Sequence, residues 1–235
     1  KLLSTNKNIS EEISQAKEFN VKNIIISDYN KFIHAKKKYK KLNINFHNSF
    51  SVIDKLFKKK EIFYSMISIL GLDGLAPSLK LIEYSKTIGI VNKESLVCGW
   101  TLVKKKLVKH KTIFIPIDSE HFSIFSLLQN YKSNLIEQIY ITASGGPFLT
   151  YPKSKLKNIS ISSALNHPNW TMGKKISIDS STMMNKVFEV IEAKNIFNTE
   201  YKKITILTHP KSYIHAIVKF KNGLTKFLYH EPDMA

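Results

Sequence analysis

No arginine occurs anywhere in the 235 residues, so all 36 basic side chains are lysine, set against 18 acidic ones for a formal charge of +18. Such a charge ordinarily points to nucleic acid or an acidic membrane surface. Base readers favour arginine for its bidentate fork, and its absence counts against sequence-specific DNA binding. The crowding of Lys, Ile, Asn, Phe and Tyr fits an AT-rich genome, with KKKYKK (36–41) and FKKK (57–60) read as solvated faces. A lysine-rich nucleic-acid-binding module stands as a competing reading. The single cysteine, Cys98, excludes an internal disulfide and a multi-cysteine zinc site, and fits a reducing compartment. No apolar run approaches the roughly 20 residues of a membrane helix, so no transmembrane segment is expected. Residue 1 is Lys, and no signal-like stretch follows it, so any targeting segment is expected outside this chain. There is no internal repeat and no long low-complexity tract.

What is present is an ordinary globular composition, 43% hydrophobic and 23% charged, long enough for one large or two small domains. SEEISQAKEF (10–19) places Ile13, Ala16 and Phe19 at helical spacing, and VKNIIIS (21–27) is a short apolar strand. SMISIL (65–70) reads as a strand, followed by a helix over about 77–84. TIGIV (87–91), TIFIPI (112–117) and QIYITA (138–143) complete the strand set. Helices between such strands imply crossovers and a largely parallel sheet. The tail differs, because YIHAIVKFKNGLTKFLYHE (213–231) alternates and carries Asn222-Gly223 between its two runs, a hairpin signal. The expected fold is therefore α/β: a partial Rossmann-like parallel sheet over 1–110, then an α+β part over 111–235 with antiparallel strands beside a helix.

Five stretches can carry chemistry. In IPIDSEH (115–121), Asp118 and Glu120 follow an apolar strand, where α/β proteins place their sites. Extended backbone through Ser119 would put both carboxylates on one side; equally, Asp118 can cap a helix with Glu120 favouring its dipole. In IDSSTMMNKVFEVIEA (178–193) a helix is expected to start at Asp179, Ser180 or Ser181 and to be apolar nearly all round, with Asn185 and Glu189 four apart and Lys186 beside them. Those polar groups need partners; Lys186 and Glu189 can satisfy each other, and hydroxyls and amides at a helix start suit a phosphate. TASGGPF (142–148) offers Ser144 and two glycines as an anion-binding turn or as an ordinary one. In NKESLV (92–97), Asn92 follows a strand and is equally an N-cap. NHPNWTMGKK (166–175) reads as a loop, where a lone His167 is more often a bystander than a catalyst.

In this order these stretches resemble the 1-deoxy-D-xylulose 5-phosphate reductoisomerases, NADPH-dependent enzymes of non-mevalonate isoprenoid biosynthesis. The matching segments are KTIGIVNKESLV, IPIDSEHFSIF, TASGGPF, ALNHPNWTMGKKISIDSSTMMNKVFEVIEAKNIF, THPKSYIH and EPDM. The resemblance implies that Asp118, Glu120 and Glu189 are ligands of a divalent metal, with Mg²⁺ or Mn²⁺ suited to three hard oxygens and Co²⁺ as a further candidate. It implies that Ser144, Ser180, Asn185 and Lys186 hold the substrate phosphate and neighbouring hydroxyls. Lys93 and Ser119 match further substrate-side positions, with Lys93 among the catalytic set. His167, Trp170 and Met172 fall on a flap over the substrate, His167 again in a catalytic place. Lys7, Asn8, Asn92, Glu94, Met172 and Gly173 fall on the cofactor side.

The implied reaction rearranges the carbon skeleton of 1-deoxy-D-xylulose 5-phosphate to a branched aldehyde phosphate. Hydride from NADPH then reduces that to 2-C-methyl-D-erythritol 4-phosphate. The departures are several. The family's Gly-rich turn of the G-x-T-G-S-I-G kind would precede residue 1, Asn6 and Val187 stand where Gly is common, Leu149 stands where Arg is frequent, and a helical domain would follow EPDM. The expectation is accordingly an internal fragment of such an enzyme, with an inert remnant as the alternative. The parent is expected to be a homodimer in a relict plastid or a bacterial cytoplasm.

Overall fold

The protein is described here by a computed structural model, which covers residues 1–131, 133–166 and 173–231. It falls into two compact units, 1–63 with 83–86, and 64–82 with 87–235.

The first unit carries β1 (Leu3–Thr5), α1 (Ile9–Glu18), β2 (Asn23–Ile26), α2 (Tyr29–Lys38), β3 (Asn45–His47) and the single turn α3 (Ile53–Leu56). Its three strands are parallel in the order β1-β2-β3, with Leu3 opposite Ile24 and Ile24 opposite Phe46. Ile24, Ile25 and Ile26 are all buried, as a strand covered on both faces requires. α1 packs because Ile9, Ile13 and Ala16 recur at helical spacing and join Ile24, Ile26 and Ala35 in one apolar cluster. Phe19, expected on that stripe, is exposed in the C-cap position instead. Asp28 caps α2 by accepting from the Lys31 N–H at 2.9 Å. Lys36, Lys37, Lys38, Lys40 and Lys41 are exposed, in keeping with a solvated face.

The second unit holds most of β4 (Ile62–Ile67), α4 (Leu75–Tyr84) and β5 (Ser85–Ile90), followed by α5 (Lys93–His110), β6 (Ile113–Pro116) and α6 (Ser119–Leu127). Then come β7 (Ile136–Ala143), α7 (Ile161–Leu165), α8 (Lys174–Ser181), α9 (Met184–Ile196), β8 (Ile204–Thr208), β9 (Ile214–Phe220) and β10 (Thr225–Tyr229). One sheet runs β4-β5-β6, with β5 and β6 parallel from Thr87 opposite Ile113 to Ile90 opposite Pro116. The other runs β10-β9-β7-β8; β8 is parallel to β7, while β9 and β10 are antiparallel. The expected hairpin forms, with Gly223 at φ +85° in its turn. The expected antiparallel strands form, but β9 and β10 pack chiefly against α6, whereas α9 packs against the parallel β8.

Strands on either side of residue 110, β5 and β6, are hydrogen-bonded neighbours in one sheet. The mixed sheet's core is built from Ile139 and Ile141 of β7, Ala216 and Val218 of β9, Ile124 and Leu127 of α6, and Ala193 and Phe197 of α9. At roughly 1.5–3 kcal/mol for each fully buried large aliphatic chain, this cluster fixes α6 and α9 against the sheet. Among the described residues no helix is long and apolar enough to cross a membrane.

Candidate functional site

The acidic half of the site begins where β6 ends. α6 starts at Ser119, so of the two alternatives the helical one forms rather than extended backbone through Ser119, and Asp118 occupies the N-cap position. Among the described residues its side chain accepts no capping bond. Instead it faces the Lys93 ammonium, which donates to its Oδ2, and lies 3.2 Å from Nδ1 of the fully buried His121. Glu120, in the first turn of α6, accepts from Ser119 Oγ and Lys186 Nζ at 2.7 and 2.6 Å. Helix geometry therefore does what strand alternation was expected to do, turning both carboxylates to one place.

The third carboxylate arrives from α9, and the local structure differs from the single helix expected there. Met183 adopts a left-handed conformation (φ +62°) that separates α8 from α9. Asp179, Ser180 and Ser181 thus end one helix and do not cap the next; among the described residues α9 has no side-chain cap. The cause is local. Ser181 and Thr182 hydroxyls donate back to the Ile178 carbonyl at 2.8 and 3.0 Å, and Asp179 is held by Lys175 at 2.6 Å. Nor is α9 apolar on its buried side: Lys186, Glu189 and Glu192 are buried at 7%, 1% and 1% exposure, while Met184 and Val187 are exposed. Glu189 accepts from Asn185 Nδ2 at 2.5 Å, and its Oε1 lies 3.4 Å from Lys93 Nζ. Lys186 lies 2.6 Å from Glu189, as the i,i+3 pairing anticipated, but also donates to Glu120 and to the Thr142 carbonyl at 2.7 Å.

One ligand atom from each of Asp118, Glu120 and Glu189 falls within 4.8 Å of the other two. Asp118 Oδ1 lies 3.2 Å from His121 Nδ1, and Glu189 Oε2 lies 2.6 Å from Lys186 Nζ, so both oxygens are buried beside groups that can carry positive charge. Three carboxylates are a donor set for a hard divalent ion, so the residues fit such an ion. Burial opposes ionisation of Glu120, but the charges of Lys186 and then Lys93 outweigh it and hold the carboxyl far below its usual range. Burial likewise opposes the charge on Lys186, yet Glu120 and Glu189 keep it above the ordinary lysine value. Glu192 is different: burial raises it, more than the nearby His121 lowers it.

The anion half lies at the end of β7. Gly145 (φ +93°) and Gly146 (φ +68°) follow Ser144, and a Cβ on Gly146 would stand 2.9 Å from the Ser180 carbonyl. That close approach brings Ser144 and Ser180 to one wall of a cavity of about 390 Å³. Asn185, Lys186, Ser119 and the three carboxylates line the same cavity, with Asn92, Lys93 and Glu94 from the start of α5 on another side. Asn92 has a structural duty there. It caps α5 by accepting from the Ser95 N–H at 2.6 Å, and donates to the carbonyls of Ile69 and Gly71. Its side chain thus holds the start of α5 in place where the residue lines the cavity. Glu94 pairs with Lys175 at 2.6 Å.

Lys7 and Asn8 belong to the first unit at the start of α1, and Gly173 stands at the N-cap of α8. His167, Trp170 and Met172 are outside the described residues. Sequence reasoning missed Thr142, Lys175, Ser212 and His215 in the cavity wall, and the buried His121 and Glu192 behind it. A lone histidine in a strand or helix carries no local signal; the one trace was Glu192, three residues beyond Glu189 on the same face.

Comparisons with known proteins identify the family. Residues 1–99 match the family model for 1-deoxy-D-xylulose 5-phosphate reductoisomerase, and 114–197 match that for the C-terminal domain of the same enzyme. The reductoisomerase of Pelagibacter ubique is 58% identical over 234 residues, 99% of this chain and 60% of the relative. That of Wolbachia pipientis wMel is 42% identical, covering 99% and 59%. A crystal structure of DOX-P reductoisomerase with NADPH, fosmidomycin and magnesium superposes with a TM-score of 0.89 at 32% identity, over 99% of this chain and 60% of that one. The Zymomonas mobilis reductoisomerase with NADPH gives 0.88 at 32% identity, with the same coverage. The chain thus spans about 60% of the length of the curated relatives it matches. Taken with the carboxylate cluster and the serine-lined cavity, these likenesses show that the chain belongs to the 1-deoxy-D-xylulose 5-phosphate reductoisomerase family.

Proposed function

We propose that the protein reductively isomerises 1-deoxy-D-xylulose 5-phosphate to 2-C-methyl-D-erythritol 4-phosphate, using NADPH and a divalent metal. The observation that carries this is the meeting of Asp118, Glu120 and Glu189 beside a cavity lined by Ser144, Ser180, Asn185 and Lys186. Solved relatives that hold NADPH, fosmidomycin and magnesium support it. In this reading the three carboxylates hold Mg²⁺ or Mn²⁺, which when bound polarises the substrate oxygens as a Lewis acid. Ser144, Ser180 and Asn185 donate hydrogen bonds to the phosphate. Lys186, tied to Glu120 and Glu189, orients those carboxylates and supplies positive charge beside the anion. Lys93 and Ser119 are assigned to the sugar, with His167 and Trp170, and Lys7, Asn8, Asn92, Glu94, Met172 and Gly173 are assigned to the nicotinamide cofactor.

Residues 1–110 make up part of the cofactor-binding portion and 111–235 the metal- and substrate-binding portion. A homodimer is proposed for the whole protein. The relatives compared above are bacterial, which favours the bacterial cytoplasm over a plastid as its place.

The test is NADPH oxidation by the full-length protein. Turnover should require both the sugar phosphate and a divalent metal, and Glu189→Gln should lower kcat/KM by about a thousandfold while the circular dichroism spectrum is retained. Full activity in that variant would remove α9 from the metal site. The nucleic-acid reading predicts instead an affinity for DNA or RNA that falls steeply with salt, and it fails if no binding is seen at low salt.

A further inference from the structure

His215 lies in β9 at 7% exposure and forms part of the cavity wall, yet among the described residues its ring nitrogens have no hydrogen-bond partner. Burial lowers its pKa below the ordinary histidine value, despite the charge of Glu120 nearby, with Lys186 and Glu189 also in range. A neutral imidazole offers one N–H donor and one acceptor. Left unmatched in a buried wall, these suit a ligand hydroxyl.

The surroundings of this ring come from two other elements. Its backbone is pinned by Thr142 Oγ1, which donates to the carbonyls of Ile214 and His215 at 2.5 and 3.2 Å. Its ring meets His230 edge to face, with centroids 5.2 Å apart and planes at 86°. His230 follows β10 and is itself anchored twice. Its backbone N–H donates to the Tyr213 carbonyl at 2.7 Å, and its Nε2 lies 3.3 Å from Oγ of the fully buried Ser123. Ser123 stands one turn beyond Glu120 on α6. The hairpin end is thereby tied to the helix that presents two of the carboxylates.

We infer that His230 and Ser123 are positioning residues that hold the pocket-facing ring of His215 in one orientation toward a substrate hydroxyl. The proposal rests on the function proposed above for the identity of the ligand. Its structural half, the restraint of one imidazole by another, does not. A ring freed of its edge-to-face neighbour and of the Ser123 anchor samples several rotamers, and the cost of fixing it again falls on binding rather than on the chemical step.

The experiment pairs the ring ¹⁵N signals of His215, in histidine-labelled full-length protein, with steady-state kinetics on 1-deoxy-D-xylulose 5-phosphate. His230→Ala should shift or broaden the His215 signals and raise KM about fivefold, with kcat within about twofold of the wild type. His230→Phe keeps the aromatic edge without the bond to Ser123 and should lie between the two, as should Ser123→Ala. Those two variants carry the test if His230→Ala fails to fold. Unchanged His215 signals together with unchanged KM would overturn the inference. Absence of turnover in the wild type would instead sink the assigned reaction, and the His215 signals would still decide whether the ring is restrained.

Discussion

Helices α1 and α9 bury side chains at similar spacing and with opposite chemistry. α1 turns Ile9, Ile13 and Ala16 into an apolar cluster. α9 buries Lys186, Glu189 and Glu192 while Met184 and Val187 stand 40% and 45% exposed. The first arrangement is what hydrophobic burial alone selects. The second is costly, because removing charges from water carries a penalty of several kcal/mol per ion unless partners answer it. On α9 the partners come from elsewhere: Glu120 of α6 and the Thr142 carbonyl of β7 for Lys186, Lys93 of α5 for Glu189, and His121, 3.9 Å from Glu192. A helix that buries three charged residues beside Ala193, while Met184 and Val187 face solvent, is shaped by what those charges must hold.

The largest effect expected from this contrast is at Lys186. Lys186→Met leaves Glu120 and Glu189 facing each other without the ammonium between them, and should destabilise the metal-free protein by about 3–5 kcal/mol in urea unfolding. Ile13→Ala, on the ordinary helix, should cost about 2–4 kcal/mol and leave Mn²⁺ affinity, read by electron paramagnetic resonance, unchanged. If Ile13→Ala proved the more damaging of the two, the charged face would be incidental to the fold.

The smallest effect is at Glu192, whose pKa burial raises from 4.5. A raised carboxyl contributes stability that is full below its unfolded value and is lost as pH rises through the folded one. Glu192→Gln lacks that loss, so its melting temperature should exceed the wild type's at neutral pH and match it near pH 4. Glu120 has the opposite sign: its depressed pKa makes its contribution present above the ordinary carboxylate range and lost only in strong acid. An equal gain for Glu192→Gln at both pH values would show that packing and not charge decides the effect.

Much of the fold was legible because it obeys local periodicity. The stripe of α1, the isoleucine run of β2 and the Asn222-Gly223 turn each declare themselves within ten or so residues. The end of α8 was not legible. A Ser/Thr run that bonds back to Ile178 can begin a helix as readily as end one, and only the left-handed Met183 resolves which. The role of Asp118 also lay beyond local rules. The residue sits where a cap belongs, and its side chain is taken up by Lys93 and His121 instead. Histidines 121, 215 and 230 gave no pattern at all, since each acquires its meaning from a neighbour on another element.

The amino-acid order alone determined the alternation of helices and parallel strands and the closing hairpin, and its resemblance to a known family pointed to the residues of the acidic cluster and the serine-lined wall. Backbone propensities and side-chain types are properties of short windows, so they survive being read in one dimension. Only the tertiary structure decided that Glu189 meets Asp118 and Glu120, that Asn92 donates to the Gly71 carbonyl, and that Lys186 is shared between two carboxylates and a carbonyl. Each of these depends on groups far apart in the chain, 44 to 66 residues for the bonds of Lys186, converging to within a few ångströms. Electrostatic and hydrogen-bond energies are set at that distance.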